Sequence, residues 1–368
     1  MKYVKHLLCV ALLLFVTSAA FANSSADKKE GGSDVDFAGI MMGHINDSYE
    51  WHITDVGDTP LIIHLPIIVK SSTGWHVFCS SEFEHEPIAE GEMKGYRKGP
   101  HDLFIAGSGD NENKIVEMQG GEEVRPLDIS LTKTALVAII DGIILLIIVL
   151  IPARWCRRHK IDDEAPKGFT GFMSMFIMYI YDDVIKSTLG KKADKFAPYL
   201  LTCFFFIFTA NILGVVPFPP GGGNLTGNIA CTFFFAFMTF LVTNLFGTKA
   251  YYKEIFWPDV PLWLKFPLPL MPMIEFFGLF TKPLALMIRL FANMFAGHAI
   301  ALSFALIIFI MYGVNMWAGS SMAVISTLMS TFMMLLEVLV CFIQALVFTM
   351  LSAVFISLSQ VEEEKEEN

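Results

Sequence analysis

LMPMIEFFGLFTKPLALMIRLFANMFAGHAIALSFALIIFIMY, residues 270–312, sets the architecture of the whole chain. Its ionisable residues are Glu275, Lys282, Arg289 and His298, and nearly everything else is apolar. As one helix rising 1.5 Å per residue it would be roughly 65 Å long. The hydrocarbon core of a bilayer is only about 30 Å thick. Such a helix must tilt steeply, bend or be interrupted, unless it is a normal span with an interfacial extension. Pro283 offers one bend. A second run, 324–358, poses the same problem at roughly 52 Å. Three more runs, 134–151, 196–216 and 226–246, have the length of ordinary spans. The reading is an all-α membrane domain of five transmembrane helices, the last two long and tilted, over residues 131–360.

The composition agrees. Of 368 residues, 54% are hydrophobic and only 17% charged, and mean hydropathy is +0.55. These values exclude a disordered chain and argue against a wholly soluble one. A formal charge of −10 excludes a basic protein that coats nucleic acid. The six cysteines form no C-x-x-C pair, so neither a disulfide framework nor a zinc ribbon is expected.

The first third differs in kind. Lys2 and Lys5, an apolar core over 7–16 and Ala20-Phe21-Ala22 read as a secretory signal peptide over residues 1–22. Residues 23–130 are polar and hold six of the nine histidines. Alternating residues over 49–56, 61–71 and 75–83, with turn signals at Gly57-Asp58 and Thr73-Gly74, predict a small β-rich exported domain of unassigned role. His44, His52, His64 and His76 have no metal-ligand spacing and read as strand or surface residues.

Basic residues orient the chain. An exported N-terminus sends the first span inward. The loop 153–195 then lies inside with nine Lys/Arg, and the loop 247–269 with three, while 217–225 and 313–323 have none. The acidic tail 361–368 ends in the cytoplasm. Within the first loop, Met173, Ile177, Ile180 and Val184 share one helix face, opposite Asp182, Asp183 and Lys186. This amphipathic helix over 169–187 lies along the inner membrane surface or packs on a partner subunit.

Ionisable groups at membrane depth are costly, so those in the last two spans are candidate functional residues. Lys282 reads equally well as a snorkelling end. Glu275, Lys282 and Arg289 are seven apart and share a helix face, near which Asn293 and Gly297 continue; Glu337 and Gln344 on the next helix are also seven apart. Paired as an antiparallel hairpin turning near 313–323, the two helices bring Arg289 to Gln344 (sum 633) and His298 to Glu337 (sum 635) in one register. Against this, Arg289 and His298 lie about 180° apart around their helix at 100° per residue. Arginine keeps its proton and is a fixed charge, whereas histidine and glutamate can relay protons.

The run Lys282-Pro283-Leu284-Ala285-Leu286-Met287-Ile288-Arg289-Leu290-Phe291-Ala292-Asn293-Met294-Phe295-Ala296-Gly297-His298 closely resembles the signature of subunit a of F-type ATP synthases. Asn211 with Pro217, Asn228, Glu275 and Gln344 support the resemblance, which covers about 134–360. It implies a stator subunit with two offset half-channels, coupling proton flow to rotation of a c-subunit ring. Arg289 would face the ring's carboxylate, with Gln344 as its partner. His298 and Glu337 would line the outer half-channel, in swapped order relative to some relatives. Glu275 would mark the inner exit, and Asn293, Asn211 and Asn228 would line watery paths. Implied partners are the c-ring, the peripheral-stalk b subunit and the rest of the complex, in a bacterial inner membrane. The translocated ion is a proton, with Na⁺ not distinguished. The long segment 23–130 departs from the family. So does Asp141, which either helps protons enter or sits near the outer interface.

No G-x-x-x-x-G-K-[ST] occurs, and Pro219-Pro220-Gly221-Gly222-Gly223 reads as a turn, so no nucleotide site or cofactor is expected on this chain. A stand-alone transporter would show repeats, which are missing. An intramembrane protease would need H-E-x-x-H or G-x-S-x-G, also missing. A structural anchor for a working exported domain would leave Arg289 dispensable.

Overall fold

The computed structural model describes residues 47–56, 59–84, 87–88, 95–107, 111–120, 122–159, 165–216, 223–256 and 270–360. The expected signal peptide over 1–22, the acidic tail, His44, Lys265 and most of the expected Gly-rich turn lie outside them.

Alternating residues build the strands of the N-terminal part. β1 (Glu50–Val56) pairs antiparallel with β2 (Thr59–His64). β3 (Pro66–Ser71) lies between β4 (Gly74–Cys79) and β9 (Leu127–Asp128). A third sheet runs β5 (Arg97–Lys98), β6 (Leu103–Ile105), β7 (Ile115–Gln119), β8 (Glu122–Val124). Ile67 and Val69 point inward from β3 and pack with Phe78, Phe83, Leu103 and Ile115, joining the second and third sheets through one core. The expected strand over 61–71 is in fact two. Leu65 is buried between them, and its N–H and C=O both turn to Ser80.

The helical part begins at α1 (Lys133–Arg158), followed by α2 (Gly168–Tyr179). A π-helical turn over Ile180–Lys186 and two short turns lead into α3 (Ala193–Val215). Then come α4 (Ile229–Leu245), α5 (Lys249–Phe256), α6 (Leu270–Val314) and α7 (Met316–Ser359). Among the described residues, four stretches are long and apolar enough to cross a membrane, and a fifth is so if α4 and α5, bent by 104°, count together. At 17 residues α4 is about 26 Å long, just short of a hydrocarbon core.

α6 and α7 are continuous over 45 and 44 residues, Pro283 included. Each is therefore roughly 67 Å long, and one held wholly in hydrocarbon would lie about 60° from the membrane normal. The turn between them is tighter than the expected 313–323. It is the single residue Asn315, whose Oδ1 accepts the Trp317 N–H at 3.1 Å. Just beyond it Ser326 donates to the Phe304 carbonyl, fixing the hairpin's register.

The amphipathic segment also differs from expectation. Met173, Ile180, Val184 and Ile185 bury their side chains against Phe204, Phe205, Leu290 and Phe348 of this same chain. The face assigned to lipid or a partner is thus internal. Asp182, Asp183 and Lys186 are exposed as expected.

Two compact units result. One holds the strands, the start of α1 and the α6–α7 turn over 301–331. The other holds the rest of α1, α2 to α5, and the remainder of α6 and α7.

Candidate functional site

Every candidate site residue lies in the second unit. Local sequence explains their placement. Along α6, Leu286, Met287, Leu290 and Met294 recur at helical spacing and are buried. Arg289 falls outside that stripe and is exposed. Among the described residues it makes no hydrogen bond and no ion pair. Ile288 and Leu284 beside it are about half exposed, so the cation stands on an open apolar face.

Nine residues on, the helix presents its other face, as the 180° offset requires. His298 turns inward, where its Nδ1 lies 3.3 Å from Glu337 Oε1 on α7. The contact is a close approach rather than an aligned hydrogen bond, because Nδ1 points at the Met294 carbonyl, 3.1 Å away. Nε2 lies 3.2 Å from the Gly214 carbonyl of α3. Both ring nitrogens therefore face main-chain acceptors. A neutral imidazole has one N–H and satisfies one of them, whereas the imidazolium satisfies both beside the Glu337 carboxylate. Gly297 makes room for it: a Cβ there would stand 2.7 Å from Glu337 Oε1.

The second pair of the expected register is not formed. Gln344 is buried and, among the described residues, its Nε2 has no hydrogen-bond partner, while Arg289 is exposed. Opposite faces of α6 cannot both meet α7 at these two levels.

The asparagines take other tasks. Asn211 is fully buried: Thr226 Oγ1 donates to its Oδ1 at 2.6 Å and its Nδ2 reaches the Cys341 carbonyl at 3.5 Å. Its amide ties α3 to α7 rather than facing an open path. Asn228 caps α4, its Oδ1 accepting the Ala230 N–H at 2.9 Å. Asn293 is half-buried on α6. Asp141 of α1 is fully buried.

Toward the other end of α6, Glu275 is half-buried and within electrostatic reach of Tyr251. Lys282 is exposed at the edge of a cavity of about 20 Å³, lined also by Thr239, Thr243, Asn244 and Tyr251. Sequence reasoning missed Gly214, Thr226, Tyr251 and the steric role of Gly297. Only Gly297, beside a candidate histidine in a helix interior, left a signal to find.

Comparison with known proteins places this geometry. The family described as ATP synthase A chain matches residues 137–357. A second match, to a domain of unknown function (DUF8433), covers residues 40–129. The "ATP synthase subunit a" of Chlorobium phaeobacteroides (strain DSM 266) is 39% identical over 64% of this chain and 67% of its own length. The "ATP synthase subunit a 2" of Chlorobaculum tepidum is 36% identical over 75% of this chain and 77% of its own. The "ATP synthase subunit a" of an Anaeromyxobacter species is 30% identical over 91% of this chain and 73% of its own. The family match covers more than half of the chain, and several relatives at 30% identity or more share that name: the chain belongs to the ATP synthase A chain family.

Proposed function

We propose that this chain is the stator subunit of an ATP synthase membrane sector, carrying two offset half-channels that lead protons to and from a rotating ring. The single observation behind the reading is Arg289, exposed and unpartnered among the described residues on the apolar face of α6. A cation at mid-helix in lipid costs about 2.5–3.5 kcal/mol even on the gentlest scale. Its counter-charge must come from outside the chain, and a passing carboxylate on a c-subunit ring supplies one.

The cycle follows from the charges. A proton arrives from outside through the His298–Glu337 pair and neutralises a ring carboxylate. The neutral site rotates into lipid, where a bare charge would cost several kcal/mol. It returns to the inner path near Glu275, with the cavity edged by Lys282 and Tyr251, and releases its proton. Arg289 stabilises the carboxylate so formed and, being unable to lose its own proton, blocks a direct leak. Asn293, one turn along α6 from Arg289, flanks this crossing point. Asn211 and Asn228 hold the surrounding helices in place. Each proton yields about 2.3 kcal/mol per 100 mV.

In this reading the chain works in a bacterial inner membrane, with its mature N-terminus outside and its C-terminus in the cytoplasm. Its partners are the c-ring, the peripheral-stalk b subunit and the catalytic head, which holds the nucleotide sites. Arg289→Ala, and also Arg289→Lys, are expected to abolish proton-driven ATP synthesis in membrane vesicles while the complex still assembles. Synthesis at the native rate in an assembled alanine variant would refute the assignment.

A further inference from the structure

Asp141 is the one carboxyl in α1, eight residues in from its outer end, or about 12 Å along the helix axis. Among the described residues it has no exposed surface, and neither carboxyl oxygen has a partner in full hydrogen-bond geometry. The hydroxyl it faces, Thr209 of α3, gives its own proton to the Phe205 carbonyl. A hydroxyl can turn to accept from a carboxylic acid or to donate to a carboxylate, so Thr209 can serve Asp141 in either protonation state. Among the described residues, the one titratable group in electrostatic reach is the Cys231 thiol of α4. No cation stands by to hold an anion in place.

Depth gives the group a use. Read down α3 from its outer end, Gly214 meets His298, Asn211 meets Thr226 and Cys341, and Thr209 meets Asp141. Five residues separate Gly214 from Thr209, about 7.5 Å. Asp141 thus lies one and a half turns below the His298–Glu337 pair. We propose that Asp141, set between α1, α3 and α4, is a further proton-binding site of the outer half-channel, which takes a proton from the outer water as a carboxylate and holds it as the neutral acid. The step balances as carboxylate plus hydronium giving carboxylic acid plus water, and the proton leaves by the reverse step, on the inward side of the His298 level. A buried carboxyl kept merely for packing would be replaceable by its amide.

The proposal rests on the channel reading above, so the experiment separates the two. Infrared difference spectra of the assembled complex, taken across a range of pH, should show a carboxylic-acid band that is missing in Asp141→Asn. Because this band reports proton binding alone, it stands or falls independently of Arg289→Ala, measured in parallel. Proton-driven ATP synthesis by Asp141→Asn should fall several-fold with a shifted dependence on outside pH, Asp141→Glu should restore it, and ATP hydrolysis by the head should be unchanged. Should the asparagine chain fail to assemble, labelling of the native complex with a carbodiimide decides: the adduct on Asp141, found by mass spectrometry, should grow as pH falls. An unaltered band, an asparagine variant matching the native chain at every outside pH, or no adduct at any pH would each overturn the proposal.

Discussion

Gly297 and Glu337 approach so closely that the smallest side chain interferes: a Cβ on Gly297 would stand 2.7 Å from Glu337 Oε1. The obstacle is the end of a flexible side chain, so Gly297→Ala can be relieved by swinging the carboxylate aside. The stability loss should stay below the 1–3 kcal/mol typical of an overpacked core, roughly. The distance from His298, 3.3 Å in the native chain, would not survive the swing. Gly297→Ala is therefore expected to leave assembly and thermal unfolding nearly unchanged while lowering proton-driven synthesis. Native rates in an assembled alanine variant would show that the pair's spacing does not matter. At this scale the sequence was legible wherever a side chain announced its own chemistry. Residues 298 and 337 could be paired on paper because antiparallel helices keep a nearly constant sum of facing positions. The Gly214 carbonyl could not be found, since every residue carries a carbonyl and only the fold aims one. Arg289 and Gln344 failed to meet because the sum fixes level but not the side of the helix.

The first membrane helix begins inside the fold of the strands. Its first free N–H groups are met in order: Lys133 donates to the Ser48 carbonyl at 2.9 Å, Thr134 to Asp47 Oδ1 at 3.0 Å, and Ala135 to Thr132 Oγ1 at 3.4 Å. Asp47 Oδ1 also accepts the Ser48 N–H at 3.0 Å, so one carboxylate joins the start of β1 to the start of α1. Negative charge at a helix N-terminus adds to the hydrogen bonds. Asp47→Ala should cost about 1 kcal/mol, the usual value of a lost cap. It should also speed hydrogen exchange at the Lys133 and Thr134 amides, with Asp47→Asn intermediate. Unchanged exchange at both amides would mean that water replaces the carboxylate at no cost. The long helices were legible as elements because their length had no soluble explanation. The inward face of α2 was not, because one apolar stripe serves lipid, a partner or the chain itself equally well. The break at Leu65 escaped for a similar reason: a residue buried between two strands continues the alternation of both.

Over the whole molecule, the strands and the spans answer to different solvents, and pH can part them. Glu117 on β7 accepts from the Ser72 hydroxyl and, at 3.1 Å, from the Ser72 N–H, and His76 lies in electrostatic reach. These contacts, the Ser72 hydroxyl foremost, hold its carboxyl below the usual 4.5. A lowered carboxylate contributes stability that is full above its unfolded value and is lost as pH falls through the folded one. At the other limit, burial and a hydrogen bond to Asp128 push the Tyr49 hydroxyl above its usual 10.0. A phenol favoured in its neutral form contributes fully below 10.0 and loses that contribution as pH rises past it. The strand domain should then be most stable between these limits and open at both extremes. The spans, kept in helical form by lipid rather than by titrating groups, should remain. In reconstituted chain, Trp51, buried in this domain, would report the opening by fluorescence while far-ultraviolet circular dichroism keeps its helical signal. Glu117→Gln should flatten the acid limb and Tyr49→Phe the alkaline one, each leaving the other limb intact. Loss of helical signal in step with the tryptophan change would mean that the two parts unfold as one.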